Sequence, residues 1–313
     1  MPNAELRRIA PRIGKFFAGM IVLPVLLCPA YPTHARAKAL ADTAAAAEAG
    51  KAAAPAAAQP ALPGAGNAAH VFVILAIIIF LFGLFSGHDW TLFALRQANL
   101  ENPEYYSRYA KFSVTFLSAL LTWTAGGYAF DSADATRLGT AYFFIVLGDV
   151  IFFFNVHSVW GVCSFALAHL LLIRRNAFGL SAWPAQGWMW ALLAAILCGS
   201  LLLMFVVFYP RLRRDRSYFA LLTGYAVIIG GSLWAAFVAL TTGFFPHGNA
   251  LLIAVGVTLF FLSDICVGFY RSLPTGYPQV LATYLTWVFY APALVVTALS
   301  SYDLQWIVKY LLG

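Results

Sequence analysis

From His70 onward, long apolar runs alternate with short polar breaks, and eight of them approach the ~20 residues that an α-helix needs to cross a hydrocarbon core about 30 Å thick. The predicted spans are 70–87, 112–130, 138–154, 158–174, 188–208, 217–242, 248–269 and 278–300. No strand-like alternation competes with them, so the expected fold class is all-α, a polytopic membrane protein built as an eight-transmembrane-helix bundle.

The first 69 residues read differently. Arg7, Arg8, Arg12 and Lys15 precede an apolar run from Phe16 to Ala30, and Ala35-Arg36-Ala37 places small residues at cleavage spacing. This is the layout of a secretory signal over 1–37; the alternative, an uncleaved first helix, is disfavoured by a short run that Pro24 interrupts. Cys28 follows Leu26-Leu27 instead of a small residue, which argues against a lipid-anchored cysteine. Residues 38–69 are largely Ala with Pro55, Pro60 and Pro63, too little to bury a core, and read as a disordered linker ahead of the membrane domain 70–313.

Composition agrees: 62% hydrophobic against 10% charged residues excludes a soluble domain. The formal charge of +7 raises the question of nucleic acid, but the basic residues stand at span ends and form no contiguous patch, so no nucleic-acid partner is expected. The loops after odd-numbered spans carry Arg96, Arg108, Lys111, Arg211, Arg213, Arg214, Arg216 and Arg271. The other side carries Arg137, Arg174, Arg175 and Lys309, so the odd ends are expected in the cytoplasm and the linker outside; Arg174-Arg175 fits badly. Trp183, Trp188 and Trp190 read as an interfacial belt, and the expected location is a bacterial inner (cell) membrane. The cysteines at 28, 163, 198 and 266 have no close pair and no metal-knuckle spacing.

Three ionisable residues inside apolar runs need a reason: Asp149 in span three, His169 in span four and Asp264 in span seven. Asp149 and Asp264 each stand five residues before the predicted end of a span, about 7 Å inside it, and so share one level. Tyr284 in span eight comes in at nearly that depth, Tyr225 slightly deeper, Lys111 at the rim and His169 nearer the midplane. The expected picture is a cavity open to the cytoplasm, walled by two acids and floored by His169. His88-Asp89 and His157 read as solvated loop residues.

At Leu147-Gly148-Asp149, at Ser164-Phe165-Ala166-Leu167-Ala168-His169, at Phe261-Leu262-Ser263-Asp264 and at Thr283-Tyr284, the chain resembles the YhhN, or transmembrane lysoplasmalogenase, family of eight-span proteins. The order, spacing and span of these motifs agree over roughly 70–300. Three positions depart: Lys111 is followed by Phe112 where the family has proline, Leu172 replaces a tyrosine, and Val288 a polar residue, differences that bear on substrate more than on fold.

The resemblance implies a hydrolase that cleaves the vinyl ether of a lysoplasmalogen to a fatty aldehyde and a glycerophospho-base. Its partners would be a lysophospholipid substrate and the surrounding membrane lipids, with no cofactor and no metal. That reaction protonates the vinyl β-carbon and captures the resulting oxocarbenium ion with water, so it needs one protonated acid and one anion. Two carboxyl groups in one low-dielectric pocket divide those roles, because burial and mutual repulsion keep one of them neutral. Asp149 and Asp264 are the expected pair, His169 and Tyr284 the orienting or relaying groups, and Lys111, Tyr225 and Ser263 the substrate contacts.

Blander readings accompany each. The acids could simply bond a neighbouring helix, His169 could satisfy a buried network, Lys111 could snorkel at a span end, and both tyrosines could pack. Two other functions compete: proton-coupled transport, which the lack of an internal repeat disfavours, and a zinc-dependent amidase, which would need more than one histidine deep in a span.

Overall fold

The computed structural model describes residues 69–96, 107–155, 158–182, 186–213, 215–305 and 307. The signal-like segment and almost all of the Ala-rich stretch lie outside the described residues, as do His157, Trp183, Arg214 and Lys309. The described chain is all-helical apart from one isolated bridge between Ala129 and Tyr302. Its eight long helices are α1 (Ala69–Ala94), α2 (Arg108–Thr124), α3 (Ser132–Phe154), α4 (Val159–Asn176), α5 (Gly187–Leu212), α6 (Arg216–Ala239), α7 (His247–Ser272) and α8 (Tyr277–Leu299).

Six of these, α1, α3, α5, α6, α7 and α8, are long and apolar enough to cross a membrane. The two others stop short of the expected eight. α2 has 17 residues, a rise of about 26 Å against a core of about 30 Å. α4 has 18 and ends on Arg174, Arg175 and Asn176. Capping sets several starts: the Asp131 carboxylate accepts from the amides of Ala133 and Asp134 at the head of α3, and Asp215 accepts from that of Tyr218 at the head of α6.

The packing closes a ring. α2 packs on α3, α3 on α4, α4 on α6, α6 on α7, α7 on α8, and α8 returns to α2. α1 lies outside against α2 and α8, and α5 outside against α6. Both outer helices turn large apolar side chains outward, Ile79, Phe80 and Leu84 from α1 and Leu202, Phe205 and Val206 from α5, as a lipid-facing surface requires. The tightest approach joins α7 to α8, where Gly256 lies so close to Thr297 that any side chain there would collide. α5 contains one π-helical turn, Met204–Phe208, just before Pro210, which has no N–H to continue the ladder.

Two ion pairs correct the sequence reading. Arg175 is buried at 1% exposure, its Nε and Nη2 bonding the two oxygens of Asp134 at 2.8 and 2.6 Å while Nη1 donates to Ser300 Oγ at 3.0 Å. The arginine that fitted the charge asymmetry badly is therefore a neutralised staple across α3, α4 and the end of α8. At the other end, α1 runs seven residues past the predicted end of span one and carries Asp89 inward. Asp89 is 3% exposed, contacts Lys111 Nζ at 2.8 Å and accepts from the Ser107 hydroxyl at 2.8 Å. It is not the solvated loop residue expected, and Lys111 is not at a rim: packing α1 on α2 supplies each charge with the partner that burial demands.

Candidate active site

Helices of the ring together with α5 line a pocket of about 240 Å³ that reaches the helix ends bearing Arg108 and Arg271, its mouth. Much of its wall is apolar, with Val162, Leu203, Met204, Leu222 and Ile229 in the lining. Both Asp149 and Asp264 line it, together with Tyr225, Ser263 and Tyr290.

Asp149 is positioned by α3 and held from two neighbours. Its Oδ2 accepts from the Thr115 hydroxyl of α2 at 2.7 Å and from the Tyr290 hydroxyl of α8 at 2.8 Å. Two hydroxyl donors on one oxygen stabilise the ionised form. The preceding Gly148 matters sterically: a Cβ there would sit 2.7 Å from the Phe165 ring, which stacks on Phe152 at 5.7 Å and meets Tyr290 edge-on at 6.2 Å. Glycine thus lets α4 bring an aromatic wall up to the carboxylate.

Asp264 has a different environment. Its Oδ2 is buried, lies 3.4 Å from His169 Nε2, beyond ordinary hydrogen-bond length, and has no hydrogen-bond partner; the Tyr225 hydroxyl stands beside the same carboxyl group. His169 is 3% exposed, with Tyr225 and Phe260 edge-on to its ring at 6.0 and 5.8 Å and its Nδ1 buried without a hydrogen-bond partner. The ring faces Asp264 through Nε2.

Depth needs one adjustment. α7 continues to Ser272, so Asp264 stands eight residues from its end while Asp149 stands five from the end of α3, a difference of about 4.5 Å at the helical rise. Asp264 is therefore at the level of His169 and a little below Asp149. The shared level becomes a step, with both carboxyl groups lining the one cavity.

The family model for the YhhN family matches residues 106–301. This chain belongs to the YhhN family. No curated protein and no solved structure matches it.

Of the residues singled out in this YhhN-family chain, Asp149, Asp264, Tyr225 and Ser263 line the pocket and His169 backs it. Tyr284 and Lys111 do not line it. Tyr284 is buried against Phe93, and the Lys111 ammonium lies 5.5 to 5.8 Å from the rings of Trp287, Phe85 and Tyr284. Thr115 and Tyr290 escaped the sequence reading. Tyr290 continues the α8 stripe Thr283, Thr286, Trp287, all pocket-lining at helical spacing, and that periodicity was the available signal. Thr115 had none, since one hydroxyl among the several of α2 acquires meaning only from what it faces. Among the described residues no group of three or more His, Cys, Asp or Glu could hold a metal ion.

Proposed function

We propose that this YhhN-family protein is an integral membrane hydrolase whose eight helices all cross the bilayer and which cleaves the vinyl ether of a lysoplasmalogen. The observation that carries the reading is the pair of unlike carboxyl groups in one largely apolar pocket: Asp149 braced by two hydroxyl donors, Asp264 facing the His169 ring with no hydrogen-bond partner on its Oδ2. Such a pair divides into an anion and a neutral acid.

Asp264 delivers its proton to the vinyl β-carbon, the π electrons form the new C–H bond, and positive charge spreads over the α-carbon and the ether oxygen. The Asp149 carboxylate faces that cation and takes a proton from the water that adds to the α-carbon. In the resulting hemiacetal the C–O bond to glycerol breaks, the departing oxygen takes the proton held by Asp149, and the remaining hydroxyl proton returns to Asp264. Aldehyde and glycerophospho-base leave, and both acids are restored. His169 positions Asp264, and Tyr225 orients it.

The test offers purified protein a panel of lysophospholipids carrying alkenyl, acyl or alkyl chains and measures aldehyde and fatty-acid release. Aldehyde from the alkenyl member alone is expected. Fatty acid from the acyl member with no aldehyde would replace the reading with an esterase.

A further inference from the structure

The mechanism above leaves the substrate's phosphate without an assigned partner, since Lys111 is enclosed with Asp89 away from the pocket. Two other cations stand on the pocket wall: Arg108 opens α2, and Arg271 lies in the last turn of α7. Each guanidinium covers a ring of α3, Arg108 at 5.0 Å from the centre of Phe153 and Arg271 at 4.9 Å from that of Phe152. Arg271 also donates to the Tyr218 hydroxyl at 2.9 Å. Stacking uses the face of a guanidinium, whereas hydrogen bonds to an anion use its edge. Arg108 has a buried Nε with no hydrogen-bond partner, and among the described residues no carboxylate pairs with it.

The spacing fits one class of ligand. Phe152 and Phe153 follow Asp149 by three and four residues, one turn or about 5.4 Å toward the mouth. In a single-chain glycerophospholipid the ether oxygen and the phosphorus are separated by three glycerol carbons and one oxygen, a reach of the same order. A substrate with its ether at Asp149 therefore holds its phosphate level with both guanidiniums and its chain among the apolar residues below, while the carboxylate repels the reverse orientation. We propose that Arg108 and Arg271 form an anion subsite that takes the phosphate of a single-chain glycerophospholipid in the forked geometry guanidinium and phosphate share. The proposal rests on reading the pocket as a lysophospholipid site.

The test separates binding from chemistry. Purified protein in an uncharged detergent is titrated with a saturated 1-O-alkyl lysophospholipid, the matching 1-O-alkylglycerol, and glycerol 3-phosphate, and binding is read from the shift in thermal unfolding. Wild type should bind the lysophospholipid about ten- to a hundredfold more tightly than the alkylglycerol, the value of a charge-assisted contact. Arg108→Gln and Arg271→Gln should each remove most of that preference while binding the alkylglycerol as before, which also reports that they are folded. Arg108→Lys, keeping the charge without the fork, should retain part of it. Equal wild-type affinity for the two lipids, or an unchanged preference in both Gln variants, overturns the subsite. Glycerol 3-phosphate binding as tightly as the lipid overturns the single-chain requirement. The probe has no bond to cleave, so the preference stands or falls independently of catalysis: a preference without aldehyde release from an alkenyl lipid removes the hydrolase reading and keeps the subsite.

Discussion

Removing one hydroxyl tests the division of labour between the two acids more sharply than removing an acid. Tyr290→Phe deletes the 2.8 Å donor to Asp149 Oδ2 and little else, because the ring is held edge-on by Trp287 at 5.1 Å and Phe260 at 5.6 Å and is 6% exposed. A hydrogen bond to a charged acceptor contributes about 1.5–3 kcal/mol. If that stabilisation is spent on the anion facing the oxocarbenium ion, the loss is about 10- to 150-fold in the rate of aldehyde release, at 1.36 kcal/mol per decade. Tyr284→Phe is the comparison: its ring faces Lys111 and Phe93, outside the pocket lining, so its effect on rate should stay within a few-fold. The assay is aldehyde release from an alkenyl lysophospholipid in detergent micelles, with thermal unfolding run beside it to establish that both variants fold. A Tyr290→Phe protein at the wild-type rate, or a Tyr284→Phe protein equally impaired, would refute the assignment of Asp149 as the braced anion.

Asp149→Asn and Asp264→Asn should each lower aldehyde release by ~10²–10⁴-fold with folding intact, since the amides keep shape but cannot exchange the proton; His169→Gln, losing position alone, should do less, and a double Asn variant at full rate would remove both residues from the mechanism. Arg175→Gln leaves Asp134 buried without its bidentate partner and should cost about 3–5 kcal/mol of stability, read as a lower unfolding temperature; an unchanged temperature would mean the staple bears no load. Lys111→Met strands Asp89 in the same way and should destabilise the protein, with Lys111→Met/Asp89→Leu recovering much of the loss. If instead Lys111→Met folded normally and raised the KM for lysophospholipid, the lysine would be a substrate contact after all.

The helices themselves were legible in the sequence, because a chain in hydrocarbon must satisfy its backbone within each helix and apolar length alone reveals where that happens. Five of the eight predicted spans end within three residues of their helices at the mouth end of the bundle, the end that sets depth; α1 overshoots by seven residues, α2 and α5 by four each, and α7's three were enough to turn a shared level into a step. The acids were legible for the same reason: a carboxylate inside an apolar run stands out where solvation is expensive.

What only the tertiary structure decided is which side of each helix meets which neighbour. Helices such as α1 and α5 are apolar nearly all round, so periodicity gives their azimuth no definition, and the choice falls to inter-helix contacts far apart in sequence. That is why Asp89, read as a solvated neighbour of His88, proved to be the partner of Lys111, and why Arg175, read as a misplaced surface charge, proved to be the partner of Asp134. It is also why Tyr290 rather than Tyr284 reaches Asp149: both lie on α8, but six residues advance a helix by about 600° at 3.6 residues per turn, putting one in the pocket and the other against α1. A buried charge announces itself in a sequence by its cost, while its partner is chosen by packing, which no local stretch of residues contains.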